Sequence, residues 1–335
     1  MTNKVTVSSS SKDLHGDTNS FDLLTKGVES INGTTKMRML INHRRDLPPI
    51  GYWDNAELEE QNSIYLLKAE PILYSKREIL TNKASLIKES FDKSITFIQR
   101  PFNDNQPLTL TIDKNNFKSW DEVKLITNTI INETEQPVQV NHDIRKDFAP
   151  DPRLIVTLTT YYSVIYPLIK PFLKKMGEKI AEEIADDIYV KSKTKIKGFL
   201  TDIKKQITTI RKKAVPQNKK LITIFEIPGK PYIELHAITD DADLIIKSLN
   251  EKKIFKVHQQ LNELSEMVNI TEAHFKLNEK GNWKFTYLIT EDGAIIGTKD
   301  IMAKRDYLHQ RINLRAVNGF SIGADVKYSE YEELP

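Results

Sequence analysis

The sequence predicts an α+β fold: a mostly β N-terminal domain, a central long amphipathic helix, and a C-terminal α/β domain with an antiparallel sheet. Three observations predict it. Short apolar runs punctuated by Pro, Gly and Asn turns fill residues 36–70 and 221–296. Isoleucines recur at helical spacing through the middle of the chain. Hydrophobic residues make up 39% and charged residues 28%, a balance that supports a buried core and a solvated surface.

Residues 1–20 are dominated by Ser, Thr, Asn and Asp and are expected to form a loose tail, because so few apolar groups cannot offset the entropy of ordering. Met37–Ile41, Tyr52–Leu58 and Ile64–Ala69 read as strands of a meander, with a turn at Pro48-Pro49-Ile50-Gly51. Residues 76–92 have the composition of a helix, and Ile95–Ile98 and Leu108–Ile112 read as strands. Ser119-Trp120-Asp121-Glu122 is a capping-box sequence that opens a helix running to about Asn132. Pro137–Val140 is a short strand, and Asp147–Arg153, with two prolines, a linker.

Leu154–Ile169 is apolar but shorter than the roughly 20 residues of a bilayer span, so it is expected to be buried or interfacial. From Lys170 the pattern turns helical: Met176, Ile180, Ile184 and Ile188, then Ile196, Phe199, Ile203, Ile207 and Ile210. Pro216 ends that helix. Leu221–Ile227 and Tyr232–Ile238 form a hairpin about Pro228-Gly229-Lys230-Pro231. Asp240 or Asp241 caps a helix through Leu249, and a second takes in Phe255–Val268. Strands at Ala273–Leu277, Trp283–Ile289 and Ala294–Ile296, a helical piece and the strand-like Gly319–Tyr328 complete the chain. The expected domains are therefore 21–150, 154–215 and 220–335, after the tail.

Charge is unevenly spread. Lys191, Lys193, Lys195, Lys197, Lys204, Lys205, Arg211, Lys212, Lys213, Lys219 and Lys220 lie in one segment with a single acid, Asp202. That segment carries +10, whereas the whole chain carries +3. Such a helix suits an anionic membrane surface or an acidic protein partner. The plainer reading is a core-packed helix with a solvated lysine face. Nucleic acid is disfavoured, because the basic residues are mostly Lys with few aromatics among them. Cysteine is absent, which excludes disulfides, thiolate nucleophiles and thiolate zinc sites. No phosphate-binding loop or dinucleotide turn is present. The seven histidines never fall at metal-ligand spacing on one helix, so neither a metal nor another cofactor is expected.

Residues 37–51, Met-Arg-Met-Leu-Ile-Asn-His-Arg-Arg-Asp-Leu-Pro-Pro-Ile-Gly, and residues 319–323, Gly-Phe-Ser-Ile-Gly, resemble the two catalytic segments of tailed-phage prohead maturation serine proteases. The resemblance implies His43 as general base and Ser321 as nucleophile, with Asp46 and Asp325 the nearest acids in sequence. It is chemically coherent, since a serine attacks only when a base in hydrogen-bond reach takes its proton. The stretch from about Leu108 to Thr298 also resembles an uncharacterised group of bacterial proteins of conflict or effector type. The cues are Asn116-Phe117-Lys118-Ser119-Trp120-Asp121-Glu122-Val123 and Gly281-Asn282-Trp283 to Glu291-Asp292-Gly293.

The leading expectation is thus a cytoplasmic, non-catalytic interaction or effector protein, peripheral to the inner membrane, docking through its basic helix. The alternatives are a serine protease using His43 and Ser321 and an inactive structural protein of that fold. A homo-oligomer is left open.

Overall fold

A computed structural model describes residues 4–12, 18–80, 86–99, 108–134, 137–143, 151–158, 186–311, 315–317 and 321–323. It is α+β. Two compact units divide the chain: residues 1–100, 146–149 and 286–335 form unit one, and 101–145 and 150–285 form unit two. The segments 21–150 and 220–335 expected from sequence cut across these units.

Unit one begins with strand β1 (Val5–Ser9), helix α1 (Phe21–Asn32), β2 (Arg38–Met39) and a 3-10 turn at Ile41–His43. Then come β3 (Gly51–Gln61), β4 (Ile64–Leu73), β5 (Lys76–Leu80) and β6 (Leu86–Ser90). The loose tail is corrected here. Val5–Ser9 pairs antiparallel with β4, and the Asn19 amide donates to the Ser8 hydroxyl and the Ser9 carbonyl, so a polar sequence is held by its backbone and side-chain hydrogen bonds. A four-stranded antiparallel sheet results, in the order β1-β4-β3-β2. Helix α1, capped by the Ser20 hydroxyl, sets Leu24 and Ile31 against Ala56, Leu67 and Ala69.

The helix expected over 76–92 is also corrected, because β5 and β6 pair in register from Lys76↔Ser90 to Leu80↔Leu86. A second partner on the far side of β6 decides it. Leu86–Glu89 pairs with Thr298–Ile295, and this ladder overrides helix-forming composition. Gly51 marks the close approach of β3 to β4: a Cβ there would lie 1.9 Å from the Ile72 carbonyl oxygen.

Unit two holds β7 (Leu108–Asp113), α2 (Trp120–Glu133), β8 (Val138–Asp143), β9 (Arg153–Thr157) and α3 (Asp186–Lys213). These are followed by β10 (Ile222–Ile227), β11 (Tyr232–Ile238), α4 (Ala242–Ser248), α5 (Glu251–Ser265) and β12 (Ile270–Leu277). Strand order is β12-β11-β10-β9-β7-β8. The expected antiparallel sheet is in fact mixed: β11–β12, β9–β10 and β7–β8 are parallel. The β11–β12 connection contains α4 and α5, and a helical crossover returns the chain in the same direction. On α2 the Ser119 hydroxyl accepts from the Glu122 amide at 3.3 Å, while the Glu122 carboxylate accepts from Lys118 N at 2.9 Å, one residue before the capping box would place it.

Strand β13 (Trp283–Thr290) leaves unit two and enters unit one. There it pairs with β14 (Ile295–Thr298), which leads into helix α6 (Lys299–Arg311) and the hairpin β15 (Arg315–Val317) and β16 (Ser321–Gly323). In unit one, Tyr287, Ile289, Ile295, Ile301, Met302 and Leu308 share a buried core with Ile41, Leu47, Tyr52, Ile87 and Phe91. Among the described residues no helix is long and apolar enough to cross a membrane.

Candidate metal centre

The hairpin β10–β11 and the parallel neighbour β12 bring four titratable side chains onto one face of the unit-two sheet. Strand alternation is the cause. In Tyr-Ile-Glu-Leu-His-Ala-Ile, residues 232, 234, 236 and 238 share one face, and Ile233, Leu235 and Ala237 share the other. The register Tyr232↔Glu272 and Glu234↔His274 puts Glu272 and His274 on the face of Glu234 and His236. All four are buried, between 0% and 4% exposed. Chain burial of this kind is costly for carboxylates unless their charge is compensated locally.

The geometry is tight. His236 Nε2 lies 3.2 Å from Glu234 Oε2 and 3.1 Å from His274 Nδ1, and His274 Nδ1 lies 3.6 Å from the same Glu234 oxygen. The other ring nitrogen of His274, Nε2, lies 2.7 Å from Glu272 Oε1. An ionised Glu272 can only accept, and with it the His274 ring proton would sit on Nε2, leaving a lone pair on Nδ1. Burial holds the His274 ring below the usual histidine pKa, against the opposing pull of Glu234 and Glu272, so the neutral ring is the form at neutral pH. Glu234 Oε2, His236 Nε2 and His274 Nδ1 therefore lie within 3.6 Å of one another in a buried space, an arrangement that could hold a cation.

The donor set fits a borderline transition ion. Two imidazoles and one carboxylate are the ligand types of zinc and its neighbours, whereas magnesium and calcium take oxygen alone. With metal–ligand bonds near 2.0–2.1 Å, tetrahedral ligands stand roughly 3.3 Å apart. The separations of 3.1, 3.2 and 3.6 Å bracket that edge. Next to Glu234 in register on β10 stands Glu226, whose Oε2 accepts from the Thr157 hydroxyl at 2.8 Å. Glu226 is thus a third buried carboxylate on the same face.

Sequence reading missed this group because it sought ligands on one helix. The available signal was Glu234-x-His236 in an alternating strand, a spacing that puts two ligands on one face. His274 lies on another strand, and only the β11–β12 register brings it in.

The residues singled out from sequence lie elsewhere. His43 ends the 3-10 turn after β2, is exposed, and has a left-handed backbone (φ 51°), as does Asn42 (φ 46°). Ser321 opens β16, which runs beside β1. Strand β1 and strand β2, which leads to His43, lie at opposite edges of the sheet β1-β4-β3-β2, and the Ser321 side chain and Asp325 fall outside the described residues. Asp46 is gripped by Arg44 through Nε at 2.9 Å and Nη2 at 2.5 Å.

On α3 the apolar stripe Phe199, Ile203, Ile207 and Ile210 is buried. Lys204 pairs with Asp243 at 2.7 Å, Lys205 with Glu133 at 3.5 Å, Arg211 with Asp240 at 2.7 Å and Lys219 with Asp151 at 3.4 Å. The Asp243 carboxyl is held below its usual pKa, chiefly by the hydrogen bond from Lys204. Lys197, Lys212, Lys213 and Lys220 are exposed. The side chains of Lys191, Lys193 and Lys195, and all of 159–185, lie outside the described residues.

No protein-family model, no curated protein and no solved structure matches the chain.

Proposed function

We propose that this chain binds a divalent transition-metal ion of the zinc class through Glu234, His236 and His274. The ion would fasten β11 to β12. The carrying observation is the triangle of three buried donor atoms with separations of 3.1, 3.2 and 3.6 Å. The ligands sit on strands rather than loops, which limits how far they can relax when a metal leaves. The test is cobalt(II) titration of the chelator-treated protein, read by visible absorption, alongside metal analysis of the protein as purified. One ion per chain with a tetrahedral spectrum, lost in His236→Asn and His274→Asn, is the expected result. Absence of binding in the wild-type chain rejects the reading.

A second reading rests on the exposed Lys197, Lys212, Lys213 and Lys220. It is electrostatic docking on an anionic membrane surface or acidic partner. With Phe199, Ile203, Ile207 and Ile210 turned into the core, attraction at this part of α3 would come from charge alone. Flotation with anionic vesicles should then show binding at low salt that disappears near 0.5 M salt, where the screening length falls to about 4 Å. No binding at low salt ends this version.

A further inference from the structure

We infer that Glu272 is a positioning residue for the metal: its carboxylate fixes the tautomer and angle of His274 so that Nδ1, not Nε2, is the ligand atom. This rests on the metal reading above and goes beyond it, because Glu272 is placed outside the ligand triangle. Each nitrogen of the His274 ring faces a buried side chain. Nε2 faces Glu272 at 2.7 Å, a normal charge-assisted hydrogen bond, and Nδ1 faces His236 and Glu234. Glu272 and His274 are two residues apart on one strand, so the carboxylate and the ring rise from the same face of β12 and are aligned by the backbone itself. If the ring proton sat on Nδ1 instead, an N–H would point into the space the ion needs.

Glu272 also sets the charge. Ionised, Glu234 and Glu272 would bring two negative charges beside the buried Glu226, and a divalent ion would offset that charge. His236 has no equivalent anchor: its Nδ1 is buried without a hydrogen-bond partner among the described residues. The orientation of the centre therefore depends on the Glu272–His274 side.

The experiment compares cobalt(II) affinity in the full chain for wild type, Glu272→Gln and Glu272→Leu, with the metal-free melting temperature of each measured beside it. Gln keeps an acceptor for Nε2–H and loses the charge; Leu loses both. Affinity is expected to fall in the order wild type, Gln, Leu, with a total loss of about 10- to 100-fold. Nitrogen-15 shifts of His274 in the metal-free protein should report the Nε2–H tautomer in wild type and a mixture in the Leu variant. Unchanged cobalt affinity in both variants, whatever their melting temperatures, overturns the inference while leaving the metal site standing. A wild-type His274 protonated on Nδ1 overturns it too. Failure of the wild-type chain to take up cobalt removes the metal reading and this inference together.

Discussion

At the scale of single residues, the buried ionisable groups are the places where substitution is most informative. Arg305 donates from Nη1 and Nη2 to the two oxygens of Glu89 at 2.7 and 2.8 Å and from Nη1 to the Pro49 carbonyl at 3.2 Å, with both side chains buried. Arg305→Ala leaves Glu89 buried without its closest partner, and unit one should lose about 3–5 kcal/mol by denaturant unfolding. Arg305→Met combined with Glu89→Leu should recover most of that loss, because the desolvation cost leaves with both charges. His258 on α5 is buried, and burial depresses its pKa from 6.5 to about 4. The native ring therefore stays neutral where the unfolded ring takes a proton. Stability should fall as pH drops from about 6.5 toward about 4, by about 3 kcal/mol from this group. Urea midpoints measured across that window in the presence of chelator should flatten in His258→Leu. Neither group was legible in the sequence. Arg305 and Glu89 are separated by most of the chain, and a lone histidine on a helix looks the same buried or exposed.

At the scale of elements, α3 shows what periodicity can reach. The spacing of Phe199, Ile203, Ile207 and Ile210 gave the buried face, because helical geometry alone stacks such residues. Ile207→Ala should cost about 2–5 kcal/mol, since Ile207 is fully buried. Gly198 offers the opposite case: a Cβ there would meet nothing within 4 Å. Gly198→Ala should therefore stabilise unit two by about 0.5–1 kcal/mol, read as a raised unfolding midpoint. The hairpin β10–β11 was equally plain, from alternation and the Pro-Gly-Lys-Pro turn. What could not be read was pairing between distant strands. The β5–β6 hairpin contradicts its own composition, and the parallel β11–β12 register, which assembles the candidate centre, leaves no trace in either strand taken alone.

At the scale of the molecule, metal and stability should be linked. An ion that binds only the folded state raises stability by about 2.7 kcal/mol when present at a hundred times its dissociation constant. Chelation should accordingly lower the melting temperature of the wild-type chain and leave that of His274→Asn unchanged, as followed by scanning calorimetry. The division of the chain has a different consequence. Unit one is built from the first hundred residues and the last fifty, and Arg305 joins α6 to Glu89 and Pro49. Emerging from a ribosome, the first hundred residues have to wait for residues 286–335 before their buried arginine arrives. Unit two has all its strands by residue 285 and can close first. During that interval Glu89 and the apolar face of β6 stand open to water, and a nascent chain stalled before α6 is the form in which a chaperone, or another nascent copy, would find this protein most adhesive.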